Sequence, residues 1–157
     1  MGLFDLFKKK DNDNKPIQAS TNSGNSDLKM FSHNAIELVK SEIENTGSFL
    51  PLGGVLTADN KFEMVVYNDP SKTTIDHREH ATIIQKIIMQ KYQDPQNLLF
   101  FMAWDGVAHL STGDIDCISV KVDNKFLDMH KIFMYTYKKD NGKVEILNMD
   151  NPIVKDL

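Results

Sequence analysis

The run Leu98–Trp104, LLFFMAW, is apolar at every position, and both of its alternating side-chain sets carry bulk. Successive side chains of a strand point to opposite faces of the sheet. A strand with this pattern is stable only where both faces of its sheet are covered, by helices or by another subunit. The chain is therefore expected to be layered, with this run at the centre.

The flanking patterns supply the other elements. In SDLKMFSHNAIELVKSEIEN, Leu28, Phe31, Ala35, Leu38 and Val39 recur at helical spacing, with Ser26 or Asp27 as the expected N-cap and Thr46-Gly47 as the stop. SFLPLGGVLTADNKFEMVVYNDP reads as two strands joined at Ala58-Asp59-Asn60-Lys61. A second helix is predicted from about Thr74 to Tyr92. Three strands follow, at NLLFFMAW, CISVKV and KIFMYTYKK, and Asn141-Gly142 is a type I′ hairpin signal leading into KVEIL. The predicted fold class is α+β, a mainly antiparallel sheet of five to six strands with two helices in the order α-β-β-α-β-β-β-β.

A chain of 157 residues with 41% hydrophobic and 25% charged content matches one domain with a real core. The expected division is a short amphipathic tip plus a polar linker over 1–27, a single globular domain over 28–150 and a tail over 151–157. The linker expectation rests on KKKDNDNKPIQASTNSGNSD, which has almost no large apolar residue to offset the entropy of ordering it. The net charge of −4 is unevenly placed: residues 1–29 hold five Lys against four Asp, leaving an acidic body. An acidic body argues against a nucleic-acid partner, which needs clustered cations to displace counterions from phosphates. The single Cys117 excludes an internal disulfide, and no signal peptide or membrane-length apolar run is visible, so a cytoplasmic location is expected.

Three constellations invite a chemical reading. His77-Arg78-Glu79-His80 opens the second helix. Its histidines are spaced i,i+3, not the i,i+4 of the zinc motif H-E-x-x-H. The pattern reads better as a helix start, with His80 a partly buried imidazole and Asp76 and Glu79 opposing the helix dipole. WDGVAHLSTGDIDC places Asp105, His109, Asp114 and Asp116 in one expected loop, which reads as a solvated polar turn; a hard-cation site is the alternative. Phe133, Tyr135 and Tyr137 form an aromatic stripe at strand spacing, which suits either packing of a sheet face or an interaction surface. Cys117 lacks a neighbouring base in sequence and reads as a structural thiol. Phosphate-loop, dinucleotide, nucleophile-elbow and paired CxxC motifs are absent, and no metal or organic cofactor is expected.

At the extreme N-terminus, Leu3, Phe4, Leu6 and Phe7 precede Lys8, Lys9 and Lys10. Two readings stay open. One is a frayed terminus, and the other is a tip that docks weakly and reversibly on an anionic membrane or in a partner's groove.

SFLPLGGVLTADNKFEMVVYND, a helix, LLFFMAWDGVAHLSTGDIDCISVKVDN and KIFMYTYKKDNGKVEI together resemble a group of small uncharacterised bacterial α+β proteins. The matching pieces are Pro51, Asp59-Asn60, Gly113-Asp114 and Asp116-Cys117-Ile118, within Phe31 to Leu147. That resemblance implies a fold and no function. The element order is also similar to roadblock or longin-like modules, which scaffold and regulate by pairing through helices or sheet edges. It departs from them in its longer final hairpin at Asn141-Gly142 and in showing no C-terminal helix. The expectation for function is a non-enzymatic protein-interaction or regulatory domain with a protein partner or self-association. One alternative is a bacterial immunity or inhibitor-type protein whose acidic body masks a basic surface. The other is a metal-dependent or hydrolytic enzyme using the His77/His80 region or the Asp105–Asp116 loop.

Overall fold

The computed structural model describes residues 21–59, 61–74 and 76–157. The tip residues Leu3, Phe4, Leu6 and Phe7, the linker up to residue 20, and Asn60 of the first turn lie outside the described residues. The elements are α1 (Thr21–Thr46), β1 (Leu52–Thr57), β2 (Phe62–Val65), α2 (His77–Tyr92), β3 (Asn97–Leu110), β4 (Gly113–Asn124), β5 (Met129–Asp140), β6 (Lys143–Ile146) and β7 (Ile153–Asp156). The sheet is antiparallel throughout, in the order β2-β1-β3-β4-β5-β6. β5 is long enough to take two short partners on its outer edge: β6 along Tyr137–Asp140 and β7 along Lys131–Met134.

LLFFMAW does sit at the centre of the sheet, with β1 on one side and β4 on the other. Its Leu99, Phe101 and Ala103 set joins Ile118, Val120 and Val122 of β4 and Phe133 and Tyr135 of β5 under α1. Phe31, Ala35, Ile36, Val39 and Ile43 of α1 complete that core. The opposite set begins with Phe100, which packs with Val55, Val65, Ile84 and Ile88 under α2. The two layers demanded by the central strand are thus both helices of this chain.

Two adjacent glycines let β1 run between these layers. A Cβ on Gly53 would stand 2.7 Å from Ile88 Cδ1 on the α2 side, and one on Gly54 would stand 2.6 Å from Phe62 Cζ on the α1 side. At the last hairpin, Asn141 (φ 49°) and Gly142 (φ 76°) are both left-handed, as the type I′ reading requires.

Three boundaries differ from the sequence reading. α1 starts at Thr21, so Ser26 and Asp27 lie inside the helix rather than capping it. Elongating a helix already anchored by its packed half needs no new nucleus, which lets a poor helix-forming stretch follow. The stretch expected as a polar loop, from Asp105 to Asp116, is instead the outer half of a β3–β4 hairpin, paired as far as Leu110 with Gly113. Its ladder continues one already registered by the apolar core, so it forms without an apolar pattern of its own. The expected tail contains β7, a strand too short to carry a readable periodicity.

Candidate functional site

α2 stands over β1, β2 and the first half of β3. It is fixed there by its apolar face and, at its edge, by Lys91 Nζ on Glu63 Oε1 of β2 at 2.6 Å. The helix starts at His77 rather than at about Thr74: Asp76 is its cap, accepting from the backbone N–H of Arg78 (2.8 Å) and Glu79 (3.3 Å). Beyond β3 the same face of the sheet continues across β4 and β5. Strand pairing there sets Phe100, Asp123 and His130 in one row, Met102, Lys121 and Ile132 in the next, and Trp104, Ser119 and Met134 in a third.

Between the flank of α2 and these rows lies an open groove of about 740 Å³. Ala81, Ile88 and Met89 of α2 form one wall; Met102, Trp104 and Lys121 lie along the sheet side. Its two ends differ. At one, Tyr92 packs on Phe100 with ring centroids 4.9 Å apart, close to Asp123 and His130. At the other, His77, Arg78 and Trp104 line the groove, while the next residue, Asp105, is in register with Ile118 on the α1 face of the sheet. From Arg78 to Tyr92 the helix runs about 21 Å at 1.5 Å per residue.

The polar groups at the Tyr92 end form a network. Asp123 is nearly buried and accepts from His130 Nδ1 at 2.7 Å, with Lys121 Nζ 3.6 Å from its other oxygen. His130 Nε2 lies 3.2 Å from Asp128 Oδ1. The hydrogen bond to Asp123 is the main reason the His130 imidazole binds its proton more tightly than a free histidine.

The helix-start histidines do not act together. His77 lines the groove, whereas His80 belongs to a small cleft on another side of α2, beside Tyr67 and Asp69. His80 is buried, and burial pushes its pKa down against an opposing effect of the Pro51 backbone. Asp105, His109, Asp114 and Asp116 share one face of the β3–β4 arm but are strung along it: His109 Nδ1 meets Asp114 Oδ1 at 2.7 Å near the tip, and Asp105 at the base accepts from the Tyr137 hydroxyl at 3.1 Å. Among the described residues, no three His, Cys, Asp or Glu side chains converge as a metal site would need.

The aromatic stripe is not a surface. Phe133, Tyr135 and Tyr137 are all buried, beneath α1, and the Tyr135 hydroxyl is hydrogen-bonded to that of Ser32. Burial raises the Tyr135 pKa to about 12 and that of Tyr137 further. The packing alternative for this stripe is therefore the one realised. Cys117 is also buried, and desolvation raises its thiol pKa, which suits a structural thiol rather than a nucleophile.

The groove residues Lys121, Asp123 and His130 were not singled out by sequence, Arg78 entered only within the His77–His80 motif, and Trp104 only as the end of the central apolar run. A signal exists in β4, where Ser119, Lys121 and Asp123 alternate with buried Ile118, Val120 and Val122. Polar side chains on one face of a strand at the middle of a sheet mark a face that its helix leaves open. No described helix is long and apolar enough to cross a membrane. Comparison of the chain with protein-family models, curated proteins and solved structures finds no match.

Proposed function

We propose that this chain is a non-enzymatic binding and regulatory domain whose ligand lies in the groove between α2 and the open rows of the sheet. The observation that supports this reading is the groove itself: a mainly apolar trough of about 740 Å³ with polar groups at its ends and Gln85 and Lys121 between them. Ligand sites are commonly concavities of this size and composition. Met89 is 61% exposed in its wall, and such a side chain is more easily understood where something covers it. Binding there needs no chemistry from the protein. The charged network at the Tyr92 end is hydrogen-bonded internally and holds Lys121 and His130 in place rather than activating a nucleophile.

A neutral solvatochromic dye such as Nile red tests the reading. It is expected to bind with one-to-one stoichiometry, and Ala81→Phe and Met89→Lys, which fill and charge the wall, are expected to abolish binding without lowering the melting temperature. Dye that fails to bind, or that binds both variants as well as the native chain, would sink the proposal.

A further inference from the structure

We infer that the groove takes a linear amphipathic carboxylate, an alkyl chain with its charged end at Arg78; the inference rests on the binding reading above. Arg78 occupies the first turn of α2, where the helix dipole disfavours a cation. The nearby carboxylates are committed elsewhere: Asp76 caps the backbone, and Glu79 pairs with Lys72. Among the described residues Arg78 makes no ion pair. The Asp105 carboxylate, on the α1 face of the strand, accepts from the Tyr137 hydroxyl and the Gly106 N–H. Farther along, Asp123 is matched by both His130 and Lys121. Arg78 is therefore a groove cation with no carboxylate partner among the described residues, and its planar guanidinium fork suits one.

Shape narrows the rest of the ligand. The trough follows α2 lengthwise, and Met89 and Met102 can adjust to a flexible chain laid along it. From Leu99 to Ala103, β3 is flanked by β1 and β4. Over that stretch the floor offers side chains rather than a free strand edge, which fits an alkyl body better than an extended peptide that needs main-chain partners.

Trp104 is the only tryptophan and lines the Arg78 end, so its emission reports occupancy directly. Decanoate, decanol and decylamine would each be titrated into the full chain below micelle-forming concentrations. Decanoate is expected to bind about tenfold tighter than decanol, the factor one charge-assisted hydrogen bond supplies, and decylamine more weakly than either. Arg78→Gln is expected to bring decanoate binding down to that of decanol in the same variant. Equal binding of decanoate and decanol, or a preference that survives Arg78→Gln, overturns the carboxylate assignment and leaves the groove reading standing. An emission that responds to none of the three overturns both.

Discussion

The two faces of this sheet are made by the same strands and end differently. On one, α1 runs across β3, β4 and as far as β6, where Glu44 Oε1 accepts from the Val144 N–H at 2.9 Å and the core closes over three aromatic rings of β5. On the other, the shorter α2 covers β1, β2 and part of β3, and the rows carrying Trp104, Lys121 and Ile132 keep some exposure. A sheet needs both faces covered at its centre for stability, but only where both side-chain sets are apolar. From β4 outward the second face is mixed, so it can stay open, and the edge of the helix becomes the wall of a groove.

The sharpest way to break that contrast uses two neighbours on β3. Phe101→Ala empties a site in the α1 core and is expected to cost about 3–5 kcal/mol. Met102→Ala, one residue on, removes a half-buried side chain beside the groove and is expected to cost about 1 kcal/mol. Denaturant melts of both variants measure the pair; equal losses would mean the second face is as tightly packed as the first.

Next comes the glycine pair that lets β1 pass between the layers. Gly54→Ala drives a methyl group into the Phe62 and Phe101 rings and is expected to destabilise by about 1–3 kcal/mol, as overpacking does. A neutral result in the same melts would show that the rings have room to move.

The two histidines flanking the groove wall should titrate in opposite directions. His80, held neutral by burial, has its pKa below the ordinary 6.5, so the unfolded chain binds the proton better and its contribution to stability falls as pH drops through 6.5. His130, held charged by Asp123, has its pKa above 6.5; its contribution is complete below that value and is lost as pH rises through the folded pKa. Proton NMR of the imidazole C–H signals should find the two midpoints on opposite sides of 6.5. Asp123→Asn should bring the His130 midpoint down and leave that of His80 in place. A His130 midpoint indifferent to Asp123→Asn would remove the network from the site.

The smallest effect is expected at the start of α1. Amides of Thr21–Asp27 should exchange with deuterium faster than those of Ala35–Ile43, because helix ends fray while Ala35–Ile43 is held in the core. Equal protection would place a tertiary contact on that stretch.

Local and periodic signals made much of the fold legible. LLFFMAW required a doubly covered central strand, Asn141-Gly142 required a left-handed two-residue turn, and the isoleucine stripe marked α2. Each depends on neighbours a few residues apart, which the chain displays directly. The candidate site was less legible because its parts are joined by register and by cover. Asp123 meets His130 only through the β4–β5 pairing, and Trp104 faces Arg78 only because α2 lies where it does. Periodicity shows which residues share a face and is silent on how far a helix extends over that face. The buried stripe Phe133, Tyr135 and Tyr137 and the open row of Met102, Lys121 and Ile132 are both legible as faces of strands; the reach of α1 across the sheet, and the shorter reach of α2, decided which became core and which became groove.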